Sequence, residues 1–252
     1  MTKIIMNGCN GKMGQVISRL AAEDNACEIV AGFDVNDNID NAYPVFSNPD
    51  DFTGDADVII DFSHPSALSG MLSYCKRRKL PIIICTTGLS NEQKEEFTAA
   101  SKEIPVFFSA NMSLGINLLI ALAKKATKLL EGNFDIEIVE RHHNQKIDAP
   151  SGTALAIADA IDETLSFPAE YVYDRHAVRK KRKSTEIGIH AVRGGTIVGD
   201  HDIIFAGNDE VIELKHSAAS KEVFAVGAIR AAKFISDKPA GLYNMNDLIG
   251  NL

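Results

Sequence analysis

The sequence predicts an α/β fold in two parts, a doubly wound parallel sheet followed by a second α+β domain with an open mixed sheet. Two observations carry this. Up to about residue 110, short and continuously apolar runs alternate with longer amphipathic ones, as in strands buried on both faces and joined by helices. Beyond Asn111 the runs take period two and are separated by glycine-rich turns. With 252 residues, the chain has room for one large domain or two modest ones.

In the first part the expected strands are Lys3–Met6, Glu28–Asp34, Asp57–Asp61, Pro81–Cys85 and Pro105–Phe108, each rich in Ile, Val or Phe and bounded by turn formers. Between them, Met13–Glu23, Pro65–Lys79 and Glu92–Lys102 read as helices. The last opens with Ser90-Asn91-Glu92-Gln93, a capping box in which serine and glutamine side chains each satisfy a backbone N–H. In the second part a helix is expected from about Ile116 to Glu131, then a half-exposed strand over Phe134–Glu140 and a helix beginning near Ser151. Strands are expected at Glu186–Val192, Thr196–Val198, Asp202–Phe205 and Val211–His216, followed by a helix over Lys221–Ile235 and a Gly/Asn-rich tail.

Lys and Arg total 26 against 34 Asp and Glu, a net charge of −8, so no whole-surface positive field exists for nucleic acid. Cys9, Cys27, Cys75 and Cys85 form no C-x-x-C pair, and the start Met-Thr-Lys lacks the apolar stretch of a signal peptide. Free thiols in a reduced cytoplasmic protein are expected. The apolar run Leu114–Ala123 is about half of what a bilayer requires, so no membrane span is expected.

Directly after the first expected strand stands Gly8-Cys9-Asn10-Gly11-Lys12-Met13-Gly14. Glycines at such a strand-to-helix turn let backbone N–H groups approach a pyrophosphate, which the helix N-terminus attracts. A glycine turn alone is only a tight turn. Asp34, twenty residues beyond Gly14 at the end of the second strand, adds a carboxylate placed for an adenosine ribose. That carboxylate repels a 2′-phosphate, and Val35-Asn36-Asp37 supplies no arginine. NADH is therefore the expected cofactor, with NADPH admitted through Lys12. Cys85-Thr86-Thr87 and Ser109-Ala110-Asn111-Met112 follow two further strands, where an open α/β sheet binds ligands, and are the expected cofactor walls.

The second motif is Glu140-Arg141-His142-His143-Asn144-Gln145-Lys146-Ile147-Asp148-Ala149-Pro150-Ser151-Gly152-Thr153-Ala154. A helix opening with Ser151, Gly152 and Thr153 offers N–H groups and hydroxyls to a carboxylate or phosphate, and His142, His143 and Lys146 supply protons and positive charge. Adjacent histidines point to opposite sides of a strand, so no metal site is expected. His176, His190, His201 and His216 are isolated, and each is expected to be structural. The cationic run Arg179–Lys183 reads as a solvated helix end or loop that can border an anionic substrate. Neither a G-x-S-x-G elbow nor a G-x-x-x-x-G-K-S/T loop is present.

Together, G-C-N-G-K-M-G at 8–14 and E-R-H-H-N-Q-K-I-D-A-P-S-G-T-A at 140–154 strongly resemble the dihydrodipicolinate (4-hydroxy-tetrahydrodipicolinate) reductases, as do A-V-R-G-G-T-I-V-G-D-H at 191–201 and H-S-A-A-S-K-E-V-F-A-V-G-A at 216–228. The resemblance implies a Rossmann-type dinucleotide-binding domain over 1–112 and 222–252, and a substrate-binding and oligomerisation domain over 113–221. It implies NAD(P)H-dependent reduction of a cyclic imine dicarboxylate to tetrahydrodipicolinate in lysine and diaminopimelate biosynthesis, by a cytoplasmic homotetramer. His142 would be the proton donor and Lys146 a second acid and electrostatic partner, with His143, Ser151, Gly152 and Thr153 at the substrate. Lys12 and Lys221 stand where the family often has arginine. Two rivals stay open. Another two-domain amino-acid dehydrogenase explains the glycine turn but leaves the His-His-Lys block without a task, and a non-catalytic dinucleotide sensor makes the proton donors dispensable.

Overall fold

A computed structural model describes residues 1–36 and 38–250. Its backbone divides into two compact units, one formed by Met1–Leu114 together with residues 222–250, the other by Gly115–Lys221.

The first unit is built from β1 (Thr2–Asn7), α1 (Lys12–Ala22), β2 (Cys27–Phe33), β3 (Val45–Phe46), β4 (Val58–Asp61), α2 (Leu68–Arg78), β5 (Ile82–Ile84), α3 (Asn91–Ala100) and β6 (Pro105–Phe108), and, after the second unit, α6 (Glu222–Ile235), β12 (Gly241–Tyr243) and α7 (Met245–Ile249). Its seven strands run in the order β12-β6-β5-β4-β1-β2-β3, and every pairing is parallel. Both faces are covered, which is why the strands read as unbroken apolar blocks. Ile4, Met6, Val58, Ile60 and Phe107 join the core that includes Ile17 of α1 and Ala228, Ala231 and Ile235 of α6. Their neighbours Ile5, Ile59, Ile82 and Val106 pack on the opposite side with Leu68, Leu72 and Phe97 of α2 and α3. The capping box at Ser90 and Gln93 is present in both directions. The expected helix Pro65–Lys79 is a 3₁₀ turn at Pro65–Ala67 followed by α2.

The Gly/Asn-rich tail holds two elements that the sequence reading missed. β12 pairs with β6 at the sheet edge, and α7 opens with an Asn244/Asp247 capping box.

The second unit contains α4 (Leu114–Leu130, whose first residue belongs to the first unit), β7 (Asp135–His142), α5 (Gly152–Asp162), β8 (Glu170–Val172), β9 (Glu186–Arg193), β10 (Gly199–Ala206) and β11 (Val211–Ala218). The sheet is mixed, in the order β11-β10-β7-β9-β8. Strand β10 runs antiparallel to both of its neighbours, while β7, β9 and β8 are mutually parallel. Ile136, Ile138, Ile187, Ile189, Ile203 and Phe205 form one face, packed on Ile116, Leu119 and Ala123 of α4 and Ala154, Ile157 and Ile161 of α5. The strand expected at Thr196–Val198 is absent: Thr196 lies in a turn with Gly195, and residues 197–198 are irregular. Gly195 takes φ of +50° there, a left-handed conformation that breaks a β run. No helix among the described residues is long and apolar enough to cross a membrane.

Candidate active site

In the first unit the glycine turn folds as its composition requires. Gly8 has φ of +78°, and a Cβ there would lie 2.7 Å from the Phe62 carbonyl oxygen. At Gly14 a Cβ would lie 2.2 Å from the Gly8 carbonyl oxygen, so only glycine lets α1 start so close to β1. The N-cap of α1 is Gly11, which brings no side-chain cap, and this leaves the N-terminus of the helix to an outside acceptor. Asp34 is drawn into the same turn. Its Oδ2 accepts the Asn10 N–H at 2.9 Å and its Oδ1 the Asn36 N–H at 3.0 Å. Lys12, the first residue of α1, is exposed.

Not all the expected cofactor residues present their side chains. Cys9 and Met112 are core residues at 0% and 4% exposure, and Cys85 is buried too, so these positions offer a ligand backbone only. The Thr86 hydroxyl is already engaged, donating toward Asp61 Oδ2 and the Ser63 carbonyl, both at 3.2 Å. Thr87, Ala110 and Gly11 are exposed, while Asn10, Met13, Ser109 and Asn111 are half-buried. Asn111 accepts the Ser109 hydroxyl through its carbonyl and the Ser113 N–H through its side chain.

Sequence reasoning missed Asp61. It is fully buried at the end of β4 and accepts from Asn7 Nδ2 at 2.8 Å, the Ser63 N–H at 3.1 Å and Thr86. Burial pushes its carboxyl up, against the pull of those donors. A charged residue ending an all-apolar strand, Val58-Ile59-Ile60-Asp61, was the available signal.

In the second unit the His-His-Lys block forms the end of β7 and the loop leading to α5. Ile136, Ile138, Glu140 and His142 share the buried face of β7, so Glu140 and His142 continue the core face into a polar pocket. His142 Nδ1 lies 2.6 Å from Glu140 Oε2. The Ser151 N–H donates to Glu140 Oε1 at 2.9 Å, and the Ser151 hydroxyl oxygen accepts the Ala154 N–H at 3.2 Å, which caps α5. His143 is half-buried and stands one residue beyond the end of β7. Lys146 Nζ pairs with Asp148 at 2.8 Å. Gly152 is exposed, with open space where a Cβ would sit, and Thr153 is half-buried.

Three further residues complete this pocket. Arg193 of β9 grips Glu140 with both Nη atoms, at 2.7 and 2.8 Å. Burial raises the Glu140 carboxyl, and the donors Arg193, His142 and Ser151 more than reverse it, leaving it below the ordinary carboxylate range. His201, expected to be isolated, is not: its ring stands edge-on to His142 at 5.3 Å between centroids, and its Nε2 is 3.2 Å from Ser151 Oγ. Gly199 is the third, because a Cβ there would come 3.1 Å from His142 Nε2. Parity was the signal for Glu140, since Ile136-x-Ile138-x-Glu140-x-His142 keeps one face. Arg193 and His201 left none, being 53 and 61 residues from Glu140 in sequence.

The cationic run Arg179–Lys183 is occupied internally. Arg182 bonds Asp135 and Glu137, and Lys180 and Lys183 pair with Glu186 and Glu170, so these three cations are matched within the chain.

Family models described as Dihydrodipicolinate reductase, N-terminus and Dihydrodipicolinate reductase, C-terminus match residues 2–112 and 115–249. A 4-hydroxy-tetrahydrodipicolinate reductase of Caldanaerobacter subterraneus subsp. tengcongensis is 56% identical, covering 99% of this chain and 98% of that protein. One from Clostridium tetani is 50% identical over 100% and 98%. Among solved structures, a dipicolinate-bound dihydrodipicolinate reductase from Paenisporosarcina sp. TG-14 superposes with a TM-score of 0.84 at 26% identity, covering 99% of this chain and all of that one. A probable dehydrogenase from Thermotoga maritima shares the fold alone, at TM-score 0.61 and 14% identity over 98% and 92%. The two halves matched by the family models and relatives about half identical over full length make this chain a member of the dihydrodipicolinate reductase family.

Proposed function

We propose that the chain reduces 4-hydroxy-tetrahydrodipicolinate to tetrahydrodipicolinate for lysine and diaminopimelate biosynthesis. The observation that carries the reading is His142, held by a buried carboxylate at the mouth of a helix N-terminus, in a chain of this family. The first unit fits a nicotinamide dinucleotide, since the turn at Gly8–Met13 leaves the α1 N-terminus without a side-chain cap and brings Asp34 beside it. When bound, that group supplies the hydride. Its holders are proposed to be the Gly8–Met13 turn, Asp34 and the loops at 85–87 and 109–112, through backbone where the side chains are buried.

Hydride addition to a conjugated imine leaves negative charge that must be stabilised and then protonated. The His142 imidazole suits proton delivery from Nε2, while Lys146 adds positive charge and a second acid. The N–H groups of Gly152 and Thr153 at the start of α5, with His143 and Ser151, take the substrate carboxylates. Asp34 and exposed Val35 favour NADH, with NADPH admitted through Lys12. A cytoplasmic homotetramer is proposed from the family resemblance, supported by a β-sheet face, opposite α4 and α5, that carries Val192 at 44% exposure.

Absorbance of NADH, followed with the product of dihydrodipicolinate synthase, tests the reading. Expected is turnover with NADH at least comparable to NADPH in kcat/KM, and losses in kcat far larger than changes in KM for His142→Ala and Lys146→Ala. Absence of turnover, or near-normal turnover in both variants, contradicts it. A dinucleotide sensor would bind NADH and leave its absorbance unchanged.

A further inference from the structure

Glu140 is 0% exposed and touches no reacting atom in the reading above, yet both of its oxygens are saturated. Oε1 accepts the Ser151 N–H at 2.9 Å and Arg193 Nη2 at 2.8 Å; Oε2 accepts Arg193 Nη1 at 2.7 Å and faces His142 Nδ1 at 2.6 Å. With three acceptor positions filled by donors that cannot give up their hydrogens, the fourth contact takes its hydrogen from His142. His142 is therefore an Nδ1–H imidazole, and Nε2 is the nitrogen that gains and loses a proton. Gly199 keeps the space beside that nitrogen free of a Cβ.

Arg193 acts on both parts of the site. While bidentate to Glu140, its Nη2 also donates to the Asp148 carbonyl at 2.6 Å, and the next residue, Gly194, donates its N–H to the His142 carbonyl at 2.9 Å. The loop carrying Lys146 and the strand carrying His142 are thus fastened to one guanidinium. A carboxylate alone beside His142 would hold the imidazolium so firmly that it surrendered its proton poorly, and a cation on the far side of the carboxylate weakens that hold.

We propose that Glu140 and Arg193 are positioning residues for the proton donor, Glu140 fixing the tautomer of His142 and Arg193 moderating the field that the carboxylate exerts on the ring. The proposal rests on the reading of His142 as proton donor. The ring faces Glu140 on β7 and His201 on β10, Arg193 on β9 and the Ser151 end of α5 are joined to it through Glu140, and His143 and the Lys146–Asp148 pair follow in the loop after β7. His201 stays neutral through its burial, with its own value near 4, and so does not contest the proton.

The two groups act in opposite directions, and this separates positioning from mere structural support. Histidine labelled with ¹⁵N reports tautomer and titration by NMR, alongside pH profiles of kcat. In the wild-type protein neutral His142 is expected as the Nδ1–H form. Glu140→Gln should mix the tautomers, lower the His142 pKa by about one unit or more, and reduce kcat about 10- to 100-fold with little change in the KM for NADH. Arg193→Met should raise the His142 pKa, and Arg193→Lys should return it part of the way. An Nε2–H tautomer in the wild-type protein, or pKa shifts of the same sign in Glu140→Gln and Arg193→Met, overturns the proposal. So does wild-type kcat in Glu140→Gln. Should Glu140→Gln fail to fold, the wild-type tautomer and the Arg193→Lys titration still decide. His142→Asn distinguishes the two levels: full turnover there removes the proton-donor reading itself, whereas an inactive His142→Asn beside a fully active Glu140→Gln removes only the positioning role.

Discussion

Replacing His201 with glutamine isolates a pH-dependent share of the stability of the second unit. The imidazole is 4% exposed; burial, then the neighbouring charge of His142, pushes it from 6.5 down to about 4. Such a histidine folds neutral and takes up a proton more readily once the chain unfolds. Its contribution is therefore complete above the unfolded value of 6.5, is lost as pH falls from 6.5 toward 4, and is gone below that. At about 1.4 kcal/mol per pH unit, the loss reaches about 2 kcal/mol by about pH 5 and about 3 kcal/mol by about pH 4. Glutamine keeps an acceptor for the Ser151 hydroxyl and does not titrate. Urea unfolding of both proteins at a series of pH values, followed by circular dichroism, gives the difference directly. Titration of His216, whose value burial also lowers, is common to both proteins and cancels. The wild-type protein should lose about 2 kcal/mol more than His201→Gln between neutrality and about pH 5. Parallel pH dependences would refute the assignment of a neutral, buried His201.

Gly8→Ala combines a left-handed φ with a Cβ 2.7 Å from the Phe62 oxygen, so it should weaken NADH binding at least about tenfold and destabilise the first unit by about 1–3 kcal/mol; fluorescence titration of NADH and denaturation measure the two. Ser151→Ala removes the α5 cap and the partner of His201, for an expected cost of about 1–2 kcal/mol together with a higher KM for the dicarboxylate; an unchanged KM would take Ser151 out of the substrate site. Gly199→Val sets side-chain atoms against His142 Nε2, with the Cβ alone at 3.1 Å. It should lower kcat strongly while leaving the dissociation constant for NADH as it was, as steady-state kinetics and direct binding can show.

Strands β1, β2, β4, β5 and β6 were legible because both of their faces are covered, which leaves a signal in every residue rather than in alternate ones, whereas the two-residue β3 was too short to leave one. The turn at Gly8 and the capping box at Ser90 were legible because their causes lie within a few residues. Strand β12 was not: Gly241-Leu242-Tyr243 is too short for a pattern, and its pairing with Pro105–Phe107 is made across the whole second unit in sequence. The Thr196–Val198 segment misled because β-branched residues there follow a glycine with positive φ, and backbone geometry prevailed over side-chain preference. At the candidate site, the residues contiguous in the motif were found from the motif. Glu140 lay inside it without a task, since its task depends on Arg193, and His201 looked solitary because its neighbours come from β7 and α5.

The interrupted course of the first unit bears on how the protein is made. Six of its strands leave the ribosome within the first 108 residues, yet α6, which covers one face of that sheet, and β12, which closes its edge, emerge only after residue 221. The second unit is continuous and complete in sequence before either appears. Synthesis from the N-terminus ordinarily lets the first domain fold first; here the domain begun first is finished last, with Ile4, Met6 and Ile60 awaiting a helix from the far end of the chain. A chain stopped short of Glu222 would contain every residue of the His142 pocket but only an unfinished version of the first unit's sheet.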